Sequence, residues 1–335
     1  MRTCAPNFFS PRVEPLERRL CLACTIDVKD DTLSILGDAA DNNVTITHNG
    51  AGNVTVVCDG DPAVAASGIK EIIVATGDGN DVLTLDVTGE LTSKLELSLD
   101  LGAGNDAADL DFAAIAAKLA VEADLGAGND LFDVNLDQEI MARGKAQLDV
   151  KGGAGDDTWN LSANEVRSNA KLQASFDGGD GNDTFKALLG DPMEAKAHVQ
   201  ISAEGGAGND ALTVDATTFG TGADIADGAK LQVHLEGGAG TDTLNASYEG
   251  EVAGMLQLHL SGGEDGDTAV VNATTNATGK GKVQIHVNGD EGDDNLTLNL
   301  TATGDTKHVK AAIDGGLGMD TCVATPNVKK RNCEV

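Results

Sequence analysis

Apolar and polar residues alternate along most of the chain with a period of two. The pattern occurs as LELSL at 95–99, LQVHL at 231–235 and VQIHV at 283–287. After a glycine-rich hexapeptide it returns, as LTLDV at 83–87 and LTLNL at 296–300. Because period two places every second side chain on one face, each unit is predicted to be a strand, a glycine turn, a second strand and a variable return.

The glycine turns end on an Asp, and successive Asp residues are 24 to 32 positions apart. Repeats of this length are typical of a solenoid, in which each unit stacks on its copies and shares one core with them. We therefore predict an all-β fold, a parallel β-solenoid resembling a β-roll or β-helix, with ten repeats of about 26 residues and two short strands per repeat. The ten Asp residues are Asp81, Asp106, Asp130, Asp157, Asp183, Asp210, Asp242, Asp267, Asp294 and Asp320.

Polar side chains also recur at fixed distances from the Asp. His234, His259 and His286 align in three successive units, where a solvated ladder is expected rather than a transition-metal site. Basic residues are expected to be scattered over the returns. Six glutamines lie ten positions before the Asp and should form an amide ladder along the stack: Gln147, Gln173, Gln200, Gln232, Gln257 and Gln284.

The chain divides into four segments. Residues 1–24 are interpreted as an export segment, 25–76 as an N-terminal β module that caps the stack, 77–325 as the repeats and 326–335 as a C-terminal tail. The module contains four alternating stretches, DTLSI, NVTITH, NVTVVC and IKEIIVA. For the returns at 112–120 and 139–146, a helical turn and an open loop both remain possible.

Charge restricts the partners. The chain has 54 acidic and 23 basic residues and a net charge of −31, which excludes nucleic acid and anionic membranes and favours cations. No run of 18 apolar residues exists, so no membrane span is expected. The six cysteines lie near the two ends of the chain, and we expect Cys24 to pair with Cys58 and Cys322 with Cys333.

The turns have the chemistry of a calcium site. Glycine permits positive φ and close approach of the backbone, which directs carbonyl oxygens inward, and each Asp adds a carboxylate. Calcium takes six to eight such oxygen ligands, more than one turn supplies. Two turns stacked one repeat apart could supply them. Aligned Asp residues about 5 Å apart would otherwise repel one another.

The turns resemble the calcium-binding nonapeptide GGxGxDxUx of RTX, or haemolysin-type, β-roll proteins. The matching stretches are GGAGDDTWN at 152–160, GGDGNDTFK at 178–186, GGAGNDALT at 205–213 and GGLGMDTCV at 315–323. The resemblance implies several Ca²⁺ ions held between successive turns by glycine-region carbonyls and the Asp. Its candidate ligands are the ten Asp residues with Gly153, Gly155, Gly179, Gly181, Gly206, Gly208, Gly238 and Gly240.

The chain departs from that family in several ways. RTX repeats follow one another every nine residues, whereas here one turn occurs per repeat, so only one edge could be a calcium ladder. Thr76, Leu101 and Leu125 replace the leading glycine in the first three units, and Asp265 and Asp290 replace later glycines in units eight and nine. We expect the sites beside these units to be impaired.

The residue directly before the Asp is usually Asn. Thr241 and Met319 replace it, and the position is expected to contribute backbone atoms only. At the N-terminus, VEPLERRLCLA at 13–23 resembles the LEPR-type motif at the start of many large exported bacterial proteins, which implies export.

These patterns predict a secreted or cell-surface bacterial protein, extracellular, that binds Ca²⁺ through folding-coupled sites and has a structural or adhesive role. Its expected partners are calcium ions and cell-surface or matrix polymers, and no enzymatic activity is expected. The alternatives are a metal-free structural solenoid and a polysaccharide-acting β-helix enzyme. The enzyme is disfavoured because carbohydrate-stacking aromatics are lacking, and Trp159 aligns with a buried position.

Overall fold

The computed structural model describes residues 24–190, 193–217 and 224–334, without the side chain of Asp137. Strands are numbered in chain order and form two sheets, which we call sheet A and sheet B. In spatial order, the described strands of sheet A are β1 (Thr25–Lys29), β2 (Thr32–Leu36), β6 (Glu71–Ala75), β8 (Leu95–Asp100), β10 (Lys118–Ala127), β12 (Lys145–Ala154), β14 (Lys171–Asp180), β16 (His198–Ala207), β18 (Lys230–Ala239), β20 (Met255–Glu264), β22 (Lys282–Asp290), β24 (Val309–Asp314) and β26 (Lys329–Arg331).

Sheet B follows the same direction along the stack. Its described strands are, in spatial order, β5 (Val64–Ala66), β4 (Val54–Cys58), β3 (Asn43–His48), β7 (Val82–Val87), β9 (Ala107–Phe112), β11 (Leu131–Ile140), β13 (Thr158–Val166), β15 (Thr184–Leu189), β17 (Ala211–Ala216), β19 (Thr243–Val252), β21 (Thr268–Ala277), β23 (Asn295–Gly304) and β25 (Thr321–Ala324).

The strands build a parallel β-solenoid. Each coil contains one strand of sheet A, the glycine turn, one strand of sheet B and a return, and equivalent strands of successive coils pair in parallel. Antiparallel pairing among the described strands occurs only at the N-terminal end, in β1–β2, β3–β4 and β4–β5. The predicted fold class is therefore confirmed.

The core lies between the two sheets and consists of the inward rows of both. Aliphatic side chains dominate it, and one aromatic cluster surrounds Trp159, which is fully buried. The centroid of the Trp159 ring lies 5.0 Å from Phe185, 5.5 Å from Phe176 and 6.5 Å from Phe132. This cluster is the largest apolar volume in a core that is otherwise thin.

The returns form a third column without helices. Single parallel bridges join Leu91, Ile115 and Ile140 in successive coils. Neither 112–120 nor 139–146 contains a helix, and the short 3₁₀ helix η1 (Thr306–His308) is the only helical element in the described residues. Accordingly, the described part of the chain contains no helix long and apolar enough to span a membrane.

The N-terminal module contains the four predicted strands, β2, β3, β4 and β6, together with β1 and β5. Strands β2 and β3 pair in parallel with β6 and β7, so they already form a coil, and β4 and β5 are an antiparallel insertion that covers the end of sheet B. Cys24 is bonded to Cys58 across this end. Cys322 is bonded to Cys333 at the other end, as predicted. Cys4, Cys21 and the export-like motif at 13–23 lie outside the described residues.

The outward rows of sheet A have the predicted register. The predicted amide ladder is present in three of the six glutamines, because Gln232 donates to Gln257 at 2.6 Å and Gln257 donates to Gln284 at 2.9 Å. Gln147 instead donates to Asp149 of its own strand at 2.8 Å. Rings of His234 and His259 stack with centroids 5.0 Å apart.

Some basic residues lie in the returns as predicted, among them Arg143, Arg167, Lys196 and Lys280. Six lysines, however, lie in register where the strands of sheet A begin, with His198 and Met255 at the equivalent positions of β16 and β20. We call these lysines the Lys row: Lys94, Lys118, Lys145, Lys171, Lys230 and Lys282.

Replacing Trp159 by Ala should lower the free energy of unfolding by about 3 to 5 kcal/mol, because the thin core cannot collapse around the cavity. Denaturant unfolding followed by circular dichroism measures the change. The exposed Met319→Ala should change it by less than about 0.5 kcal/mol. Equal effects of the two substitutions would contradict the role of the Trp159 cluster.

Candidate functional site

The glycine turns have a backbone that few other residues adopt. The second and fourth positions have positive φ in nearly every turn, for example 105° at Gly206 and 141° at Gly208. A Cβ on Gly206 would also collide with the carbonyl oxygen of Gly179 in the preceding coil. The candidate glycines Gly153, Gly155, Gly179, Gly181, Gly206, Gly208, Gly238 and Gly240 therefore form two columns that allow the coils to approach closely.

Two turns keep this backbone although Asp replaces one of their glycines. Asp265 has φ of 71° and Asp290 has φ of 75°, both in the left-handed region where Asp is better tolerated than most residues. Their turns still place Asp267 and Asp294 in the buried row described next. These substitutions therefore strain the backbone locally but do not interrupt the stack.

The ten predicted Asp residues form one buried row, which we call the Asp ladder. Each side chain is at most 2% exposed. In each, Oδ1 accepts a hydrogen bond from the backbone N–H of the equivalent residue in the preceding coil, over 2.6 to 3.0 Å. For example, the Asp183 amide donates to Asp210 at 2.7 Å. The carboxylates thus join successive coils at the corner where the sheet hydrogen bonds end.

The Asp ladder continues beyond the ten predicted turns at both ends. In the first coil, GDAADN at 37–42 is an additional turn, and the Asn42 amide donates to Oδ1 of Asp81 at 2.6 Å. The sequence pattern missed it because the β4–β5 insertion places Asn42 39 residues before Asp81 and because Asn replaces the Asp. At the other end, the Asp320 amide donates to Oε2 of Glu334 at 2.7 Å. Glu334 thus takes the place of an Asp from a following coil.

The second carboxylate oxygen of each Asp has no hydrogen-bond partner in the described part of the chain. All ten Oδ2 atoms are buried. In the coils from Gly152 onward, Oδ2 lies against the leading glycine of its own turn, beside the carbonyl oxygen of the next leading glycine. A Cβ on Gly262 would lie 2.6 Å from the Gly289 carbonyl oxygen and would also collide with Oδ2 of Asp267. Two oxygens therefore converge on space that only glycine leaves open.

The first three predicted turns differ at this point. Leu101 and Leu125 are fully buried and place aliphatic side chains where later coils have glycine. Thr76 is buried too, and its hydroxyl donates to the Leu101 carbonyl at 2.7 Å. These turns retain the Asp ladder but leave less room beside Oδ2 than the later ones.

A second, exposed ladder runs beside the first and in the opposite direction. The side-chain oxygen of Asn182 accepts a hydrogen bond from the Asn209 amide of the following coil at 2.9 Å, and Asn209 accepts from Thr241 at 2.9 Å. The expectation that this position contributes only backbone atoms is therefore wrong. The other acceptors of this ladder are Asp41, Asn80, Asn105, Asn129, Asp156 and Asp293.

Burial raises the pKa values of the nine members of the Asp ladder from Asp81 to Asp294. It raises the pKa of Asp157 and Asp267 to about 7, and neighbouring Asp charges add to the effect. The pKa values of Asp106, Asp210 and Asp294 are raised to about 6 for the same reasons. The amide hydrogen bond from the preceding coil opposes the shift but does not cancel it.

The described residues contain no cluster of three or more His, Cys, Asp or Glu side chains that could bind a metal. The predicted Asp residues are thus brought into one row, but not into compact carboxylate clusters. A cation at this edge would need backbone carbonyls among its ligands.

The metal-free protein should lose stability as the pH rises. Unfolded Asp side chains titrate near pH 3.9, so between about pH 4 and pH 7 the folded state binds more protons. The stabilisation from these protons is full below about pH 4 and is lost as the pH passes 6 to 7. Thermal unfolding in a chelator from pH 4 to pH 8 tests this.

Net charge contributes to the same trend, so matched variants are needed. Asp157→Asn with Asp267→Asn should flatten the pH dependence more than Asp227→Asn with Glu249→Gln, which removes two exposed carboxylates. Stability that rises from pH 5 to pH 8, or equal flattening in both variants, would contradict a protonated row.

Removing the Glu334 carboxylate should open the last coil only. In Glu334→Ala the buried Asp320 amide has no acceptor, so its hydrogen exchange should accelerate by about tenfold or more. Amides of the central coils should keep their protection, and Glu264→Ala, at an exposed site, should change neither. Unchanged exchange at Asp320 would show that Glu334 does not close the ladder.

Comparisons with protein-family models, with curated proteins and with solved structures give no match to this chain. Its function is therefore argued from the solenoid, the Asp ladder and the glycine turns.

Proposed function

We propose that the chain is a secreted or cell-surface calcium-binding repeat protein with a structural or adhesive role, in which Ca²⁺ is held between stacked GGxGxD turns and is coupled to folding. The observation that supports this most is the row of ten buried Oδ2 atoms without hydrogen-bond partners. An ionised carboxylate is costly to bury without a compensating charge. A hard divalent cation would supply that charge.

The donors fit such a cation best in the later coils. In these coils the Asp contributes Oδ2, and the carbonyl oxygen of the next leading glycine lies beside it. The proposed sites are those of Asp157, Asp183, Asp210, Asp242, Asp267 and Asp294. The Leu101 and Leu125 side chains make the early turns poorer candidates. The leading glycines, rather than the second and fourth ones, present the carbonyl beside Oδ2.

A metal-free structural solenoid is the second candidate. It is favoured by the hydrogen bond that every Oδ1 accepts from the preceding coil, together with the raised pKa values of the Asp ladder. A protonated row would be uncharged and would hold the coils together without a cation. The two candidates differ in what neutralises the carboxylates.

The extracellular location and the absence of catalysis belong to the same proposal. Two disulfides, Cys24–Cys58 and Cys322–Cys333, suit an oxidising compartment. The LEPR-like stretch at 13–23 supports export. Trp159 is buried, so it does not offer the exposed aromatic platform that a polysaccharide-acting site would use. Surface or matrix polymers are proposed as partners of the adhesive role.

Calorimetric titration of the full chain with Ca²⁺ tests the proposal. Asp183→Asn with Asp210→Asn should remove about two bound ions, because Asn keeps the Oδ1 acceptor but lacks the charge. In a chelator at pH 8 the same variant should be at least as stable as the parent, since two buried charges are gone. In millimolar Ca²⁺ it should gain less stability than the parent.

Asp227→Asn with Glu249→Gln, which removes the same charge from exposed positions, should bind as many ions as the parent. If the parent binds no Ca²⁺, or if the Asp ladder variant keeps the parent's stoichiometry, the calcium proposal is wrong. An Asn variant that is as stable as the parent in both conditions, without binding heat, supports the metal-free solenoid.

A further inference from the structure

The outer face of sheet A carries two charged rows of opposite sign. The Lys row lies at one side, where the strands begin. Six residues further along each strand lies a second row, which we call the acid row. Its acidic members are Asp100, Asp124, Asp177, Glu204, Glu236 and Asp314. At about 3.3 Å per residue the two rows are about 20 Å apart, too far for ion pairs within one chain.

Each row brings like charges together over part of its length, although His198 and Met255 interrupt the Lys row and Lys151 interrupts the acid row. Lys118 pairs in register with Lys145 and Lys145 with Lys171, and Asp177 pairs with Glu204 and then Glu236. Like charges directly opposite each other on neighbouring strands are destabilising. Such rows need a counter-charge.

For the Lys row, the first coils provide one. Glu96 accepts ion pairs from Lys94 at 2.7 Å and from Lys118 at 3.0 Å. In the described part of the chain the remaining members of the Lys row form no ion pair: Lys145, Lys171, Lys230 and Lys282. All four are exposed.

In the acid row, Lys151 lies between Asp124 and Asp177. In the same row, His234 lies 3.5 Å from Glu236.

We propose that this face pairs with the same face of a second copy of the chain. A twofold axis that runs along the stack, within the interface, places the Lys row of one copy over the acid row of the other, coil by coil. Lys171 of each copy then faces Asp177 of the other, and Lys230 faces Glu236. A twofold contact of this kind is isologous, so each ion pair occurs twice.

The polar rows that lie between the Lys row and the acid row are also complementary across the twofold axis. The glutamine row of one copy, for example Gln200 and Gln232, lies over the other copy's row containing Ser202 and His234, and amides can hydrogen-bond to both.

Several coils are exceptions to this match. Lys151 takes the acid position in the coil of Lys145, and Asn288 takes it in the coil of Lys282. The coil of β20 has neither charge, and that of β16 has His198 in place of lysine beside Glu204. The best-matched coils are therefore those of β14 and β18, with the His198 coil between them.

The face is large enough for a specific contact. From β8 to β22 it covers about 34 Å by about 20 Å, roughly 700 Å² per copy, close to the roughly 800 Å² per partner of a standard interface. A linear polyanion along the Lys row is less favoured, since the acid row and the net charge of −31 repel it. The pairing does not require bound Ca²⁺, although bound cations would weaken the repulsion between the two negatively charged copies.

Sedimentation velocity of the full chain with charge-exchanged variants tests the pairing. Lys171→Glu with Lys230→Glu, and separately Asp177→Lys with Glu236→Lys, should each weaken dimerisation by about 100-fold or more, because like charges then meet across the axis. An equimolar mixture of the two variants should form a heterodimer. The chain with all four substitutions should dimerise again.

Recovery of the dimer in the mixture and in the fourfold variant would show that the double variants are still folded and that only the charge match between copies was lost. Each variant should also keep the circular dichroism spectrum and Ca²⁺ response of the parent. A parent that sediments as a monomer up to its solubility limit overturns the proposal, as does a dimer that survives both double variants. Binding of polygalacturonate by a monomeric parent, lost in Lys171→Glu with Lys230→Glu, would replace the second copy with a polyanion.

Discussion

The structure depends on the hydrogen bond between the Asp carboxylate of one coil and the Asp amide of the coil before it. At the glycine turn the chain leaves sheet A and has not yet joined sheet B, so this buried amide lies outside the regular strand ladders. An unpaired buried amide is costly, and in every coil but the last one described a side chain from the next coil pairs with it. Asp supplies that oxygen at the required length, which explains why one Asp recurs per coil.

The repeat could be predicted from the sequence because every coil solves the same problem with the same residue types. Period-two alternation located the strands, and alignment on the Asp gave the register of the Gln and His rows. The bonding of the individual carboxylate oxygens could not be predicted. Spacing does not show that Oδ1 accepts from the amide of the preceding coil, nor that Oδ2 has no partner among the described residues. The same alignment contains the Lys row twelve positions before the Asp, so this row is visible in the sequence itself.

The other features that the repeat pattern does not predict occur where one coil differs from the rest. The repeat spacing does not predict Asn42, because an inserted hairpin lengthens its distance from Asp81. It does not predict Glu334 either, because Glu334 contacts Asp320 from the C-terminal tail rather than from a repeat. Asp265 and Asp290 replace glycines without changing the turns. Both adopt the positive φ of the glycines they replace, since the coils packed on either side determine the backbone there.

The direction of hydrogen bonding in the two ladders explains which residues occupy the first and last described positions of each ladder. Each carboxylate of the Asp ladder serves the coil before it. Among the described residues no coil precedes that of Asn42, and the Asn42 oxygen accepts from the Asp38 amide instead. The last coil has the opposite need, because the Asp320 amide requires an acceptor that no further repeat supplies, and Glu334 provides it next to Cys333. The exposed ladder runs the other way. At Met319, the last member of this ladder in the described residues, the amide donates to Asp293 and no described amide bonds to the side chain, so an apolar residue fits there.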